Sequence, residues 1–94
     1  MRFEWDEAKN RRNLAKHGIS FETAALVFED PHALSDLDRV VGAEERWQTI
    51  GAVGFHILLV AHTWEQRDEV IRLISARKAT SAERNHYETH KKAG

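Results

Sequence analysis

Apolar and polar positions follow two periods along this chain, first helical and then strand-like. Phe21, Ala24, Ala25 and Phe28 recur at i, i+3, i+4 and i+7, the spacing of one buried helical face, and Ser20 stands ahead of them as an N-cap. Asp30-Pro31 closes that helix. An earlier helix is predicted from a cap at Asp6 to about His17, with Gly18 as the left-handed residue that stops it. Its apolar content is only Ala8, Leu14 and Ala15, so it is expected to lie shallowly on the core with its basic face in water. After Pro31, residues 33–38 and 46–53 read as short strands, with the acidic stretch 36–45 as their connection. Residues 55–63 are apolar on both faces, which predicts a central strand. Its partner is 69–77, reached through a loop at 64–68. Thr80-Ser-Ala-Glu83 has capping-box spacing and opens a last helix to about His90, with Tyr87 as its only large apolar group and a fraying tail beyond. A short strand at 2–4 extends the sheet's edge. The order predicts an α+β fold: two N-terminal helices, an antiparallel meander of three or four strands, and a C-terminal helix, with the helices on one face of the sheet.

A length of 94 residues with 41% apolar content supports one modest core, hence a single domain over residues 1–94. No cysteine is present, which removes disulfides, thiolate nucleophiles and cysteine-based metal sites. With no apolar run near the roughly 20 residues of a membrane span and no signal-peptide pattern, a cytoplasmic protein without membrane contact is expected. The formal charge of −1 argues against a nucleic-acid partner until it is read by segment. Residues 20–45 hold seven acids against Arg39, whereas Lys9, Arg11, Arg12 and Lys16 are unopposed between 9 and 16, and residues 72–94 carry six bases against two acids. Such segregation makes separate basic and acidic patches.

Arg72 is the least expected residue, an arginine inside the apolar run Val70-Ile-Arg-Leu-Ile-Ser75. Either its stem packs on a solvent-facing strand, or a rigid strand presents its planar donors to an anion such as phosphate. Unbroken pairing of the last two strands would place it opposite Val60 and diagonal to His62, on the face of Leu58 and Ile74. Lys16-His17 either satisfies the carbonyls of the helix end or supplies a proton donor, and Arg46 is either a surface ion pair or a second phosphate contact. Six histidines lack metal-site spacing, and no glycine-framed nucleophile is present, so no cofactor or metal is expected. Histidine, lysine and arginine together suit cleavage of RNA by its own 2′-hydroxyl, which needs proton transfer and cationic stabilisation at phosphorus but no metal.

Several motifs run in order over nearly the whole chain. They are Phe3-Glu-Trp-Asp6, Asn13-Leu-Ala-Lys16-His17-Gly18, Phe21-Glu-Thr-Ala24, Glu45-Arg46 with Ile50-Gly51, His62-Thr63, Arg72-Leu-Ile-Ser-Ala-Arg77, Ala79-Thr80, Glu83-Arg84 and Tyr87-Glu88. In these the chain resembles the BrnT family of type II toxins. The resemblance implies a RelE-like fold and a ribonuclease that inhibits translation. It also implies neutralisation by a BrnA-like antitoxin with a ribbon-helix-helix domain, through which the toxin meets operator DNA. Carried onto this chain, the motifs put His17, Arg46, Arg72 and Arg77 at the chemistry and Lys16, His62 and Arg67 at the substrate. His17 is the expected proton carrier, and Arg46 and Arg72 the phosphate contacts. Trp64-Glu-Gln-Arg-Asp68 departs from the shorter glycine-containing hairpin expected of the family. A second reading is a catalytically silent relative that serves as the regulatory partner of a DNA-binding antitoxin.

Overall fold

The computed structural model describes residues 1–93. Its elements are β1 (Arg2–Glu4), α1 (Glu7–His17), α2 (Phe21–Ala25), a 3-10 turn (Leu26–Glu29), β2 (Leu34–Val41), β3 (Glu44–Val53), β4 (His56–Glu65), β5 (Val70–Lys78) and α3 (Ser81–Ala93). The sheet runs β1-β5-β4-β3-β2, so the strand with the most continuous apolar run, β4, lies at its centre. β2 through β5 are antiparallel, and β1 adds a fifth strand parallel to β5.

Local chemistry sets the helix ends. The Asp6 carboxylate accepts from the Lys9 N–H at 3.1 Å, and Gly18 takes φ 71°, where its N–H closes on the Leu14 carbonyl. At α3 the expected capping box forms: the Thr80 N–H donates to Glu83 at 2.8 Å, and the Glu83 N–H donates to the Thr80 hydroxyl at 3.2 Å. This helix continues through Ala93, past the expected end near His90, and Gly94 lies outside the described residues. The helix expected to end at Asp30 divides instead into α2 and the tighter 3-10 turn.

The helices do not share one face. Phe21, Ala24 and Val27 pack on Leu58, Val60, Ile71, Leu73 and Ala76, whereas Tyr87 of α3 packs on Ile50, Ile57 and Leu59 on the opposite face. Consecutive apolar residues in β4 point both ways, so both faces need cover. Tyr87 fastens the second layer by donating to Asp30 at 2.5 Å, and Asp30 also accepts from the Ala52 N–H at 2.7 Å. Close approach fixes the first layer as well. A β-carbon on Gly51 would stand 2.9 Å from Val27 Cγ1 and 3.1 Å from the Val27 carbonyl, so glycine lets the 3-10 turn lie on β3.

α1 is seated by amides rather than by its few apolar residues: Asn10 and Asn13 are buried, while Leu14 is 51% exposed. Asn13 donates to the Ala76 carbonyl at 2.8 Å and accepts from the Ala76 N–H at 3.0 Å, replacing a neighbouring strand where β1 has ended. Asn10 accepts from the Phe21 N–H at 2.7 Å and so joins the first two helices. The acidic stretch 36–45 is a connection only at Gly42 and Ala43; the rest extends β2 and β3 into a long hairpin.

Candidate active site

Strand register decides which polar residues meet. Ala61 pairs with Ser75 but His62 pairs with Leu73, so Ile74 is an extra residue in β5. This bulge reverses the face of everything before it. Arg72 therefore sits opposite Thr63, not Val60, and turns to the α3 face, while His62 stays on the face covered by α2 and the 3-10 turn. The expected neighbourhood of Arg72 and His62 does not form.

On the α3 face a transverse row of cations appears instead. Arg39 pairs with Arg46 across β2 and β3, Arg46 lies one residue beyond the Trp47–His62 pair, and Thr63 pairs with Arg72, which in turn pairs with Glu4. At about 4.8 Å per strand, the backbones carrying Arg46 and Arg72 stand roughly 10 Å apart with Thr63 between them. Arg72 is exposed and forms no ion pair among the described residues. Arg46 is held by Glu44 at 2.9 Å, at a surface site where such a pair is weak and exchangeable.

Towards α3 this face deepens into a hollow of about 280 Å³ with Ile50 and Leu59 in its floor and Asp36, Gln48, Glu83 and His86 among its walls. Arg77 borders it, but its two terminal nitrogens donate to the two oxygens of Glu83 at 2.8 and 3.0 Å. Hydrogen bonding by Arg77, against some desolvation, lowers the Glu83 pKa to about 2, so this bidentate pair is charged at neutral pH and ties β5 to the first turn of α3.

Lys16 and His17 lie elsewhere. With Lys9, Arg12 and Asn13 they line a shallow hollow of about 370 Å³ beside the bulge at Ile74 and Ser75, where the open edge of β5 meets α1. Arg67 is exposed in the β4–β5 turn, its backbone N–H donating to Glu65 at 2.9 Å. His62 is 3% exposed, packed edge-on against Phe28 and bonded through Nε2 to the Thr49 hydroxyl at 2.7 Å, which meets the Ser35 hydroxyl at 2.7 Å. The structure thus gathers Arg46, Arg72 and Arg77 on one face, brings Lys16 and His17 to its border, and separates His62.

His86, Gln48 and Asp36 are polar residues of this face that the sequence reading passed over. Only the position of His86, one helical turn after the capping Glu83, could have pointed to it. No group of three or more His, Asp or Glu side chains among the described residues is placed to hold a metal ion.

A family model for the ribonuclease toxin, BrnT, of type II toxin-antitoxin systems matches residues 5–83. The chain belongs to this family. Membership in the BrnT family makes it the toxin of a type II toxin-antitoxin system with ribonuclease activity, with RNA as substrate and an antitoxin as partner. No curated protein matches the chain. Every site residue expected from the motifs falls within the matched stretch, whereas His86 lies beyond it. No helix is long and apolar enough to cross a membrane among the described residues.

Proposed function

We propose that this BrnT toxin is a cytoplasmic, metal-independent endoribonuclease whose active face is the arginine-bearing side of the sheet under α3. The 2′-oxygen of the RNA attacks the adjacent phosphorus as its proton passes to a base on the protein. The bond from phosphorus to the 5′-oxygen then breaks as that oxygen is protonated, leaving a 2′,3′-cyclic phosphate and a 5′-hydroxyl. Charge building on the phosphoryl oxygens falls to Arg72 and Arg46, fixed on strands and therefore needing little reorganisation as the reaction proceeds. The observation that carries this reading is the row of half-buried Arg46 and Thr63 and exposed Arg72 on one sheet face. Lys16 and Arg67 extend the cationic border that holds the RNA backbone. Arg77, engaged by Glu83, keeps α3 over the hollow. Cleavage of messages inhibits translation, and a BrnA-like ribbon-helix-helix antitoxin restrains it, carrying the complex to operator DNA.

His17, in the last turn of α1, is the proton carrier in this reading. A second assignment, His86, is favoured by its place in the same hollow as Gln48 and Asp36. Alanine at each position separates them, since the true carrier's loss removes one limb of the pH–rate profile. For the face itself, Arg72→Ala should reduce RNA cleavage at least about 100-fold with the melting temperature unchanged, because the side chain is exposed and its work is at the transition state. Cleavage within about twofold of wild type, measured on a defined RNA, would remove Arg72 from the site.

A further inference from the structure

Part of the sheet face opposite the arginines has no helix on it. α1, α2 and the 3-10 turn cover the end built on Leu58, Val60, Leu73 and Ala76, and past Phe28 the same face continues bare. There the register sets Leu37 beside Trp47, Trp47 beside His62 and Trp64 beside Ile71, and beyond the bulge in β2 it brings Val40 to the same side. Leu37, Val40 and Trp64 are 47%, 57% and 46% exposed, and Met1, at 70%, borders them. A contiguous apolar surface of this kind marks an interaction site rather than scattered exposure. It holds a pocket of about 180 Å³ walled by Trp47, Trp64, Phe28 and Met1, with His62 and Ser35 as its polar groups.

The charge beside the pocket selects its occupant. Trp64 also lines an adjoining hollow of about 250 Å³ at the end of the sheet, where Glu45 stands on the aromatic face and Thr63, Glu44 and Glu65 close the hollow from the arginine side. Glu44 is paired with Arg46, but Glu45 and Glu65 form no ion pair among the described residues. Glu65 is fixed by the N–H groups of Arg67 and Asp68, both at 2.9 Å. Acids in this position repel RNA phosphates and, across a two-fold axis, the same patch of a second copy. They attract a cationic protein segment.

We infer that this acid-rimmed aromatic face is where the antitoxin docks. It takes a cationic amphipathic segment, with an apolar or aromatic side chain seated between Trp47 and Trp64 and Lys or Arg side chains against Glu45 and Glu65. The inference rests on the toxin-antitoxin reading and adds to it a place and a chemistry: the aromatic seat lies on the side of the sheet away from the arginine row, and the acids mark the sheet's end beside it.

The test is calorimetric titration of the full chain with its purified antitoxin at two salt concentrations, alongside RNA cleavage by the free chain. Trp64→Ala and the double variant Glu45→Lys with Glu65→Lys should each weaken antitoxin binding at least about thirtyfold, as for a buried aromatic anchor and its charged partners. The double variant should also flatten the salt dependence, and Trp64→Ala and Glu45→Lys alone should each cleave RNA as wild type does. The double substitution lies at exposed positions, which keeps the test available if Trp64→Ala fails to fold. Unchanged antitoxin affinity overturns the inference. So does a loss confined to RNA binding, which would make this an RNA surface, and so does a wild-type dimer in sedimentation that Trp64→Ala dissociates, which would make it a contact between copies. A wild-type chain that cleaves RNA but binds no antitoxin overturns this inference alone, whereas one that does neither overturns the proposed function as well.

Discussion

His62 shows how a single side chain can couple this fold to pH. Burial against the sheet pushes its pKa below the ordinary value of 6.5, and the Thr63 carbonyl, 3.4 Å from Nδ1, offsets this only in part. A proton on Nδ1 leaves Nε2 to accept from the Thr49 hydroxyl, which in turn accepts from Ser35, so the neutral ring fits the chain of bonds. The folded chain then binds fewer protons here than the unfolded one, and the resulting stability is present in full above pH 6.5 and declines as pH falls below it. Thermal melts of wild type should be level at pH 7 to 8 and slope downward from about 6.5, and His62→Gln should show a shallower slope whatever its absolute stability. Equal slopes would assign the acid sensitivity to another group. Arg72 illustrates the other use of a strand position: in the middle of an apolar run it faces outward, so it adds little to the core and is free to meet an anion.

At the scale of elements, α1 depends on one amide at the open edge of β5. Asn13→Ala would leave the N–H and carbonyl of Ala76 without partners, at a cost of about 2–4 kcal/mol. In a domain of this size that lowers the melting temperature by roughly 10 °C or more, readable by circular dichroism. An unchanged melting temperature would mean that α1 is seated by other contacts. The ends of α1 and α3 were legible in the sequence because caps are local chemistry: Asp6, Gly18 and the Thr80–Glu83 box act within one turn. β4 was legible as central because its apolar residues are consecutive. The placement of α3 opposite the other helices was not, since Tyr87 alone does not say which side of the sheet it fills. Nor was the extent of β2, whose residues are almost all exposed and show no clean alternation. The largest misreading came from Ile74: a period of two assumes an unbroken ladder, and one bulged residue turned Arg72 away from His62. Arg46 and Arg72 could be singled out as arginines in or at strands, but His86, exposed on a polar helix, carried no pattern.

Across the whole molecule the segregated charge acquires positions in space. Arg46, Arg72 and Arg77 lie on the α3 face, the basic residues of α1 stand at its border, Glu45 flanks the aromatic pocket on the other side, and Glu65 stands at the sheet's end between the two. A total near zero thus divides into a surface that favours RNA and an aromatic surface, acidic at its end, that favours a cationic protein. The central claim, cleavage through the 2′-hydroxyl at the arginine face, is tested most directly by the ends that the wild-type chain leaves on a defined RNA. Products with a 2′,3′-cyclic phosphate and a 5′-hydroxyl, and no cut when the nucleotide 5′ of the cleaved bond carries a 2′-deoxyribose, are predicted; 5′-phosphate ends, or cleavage of the deoxy-substituted strand, would contradict it.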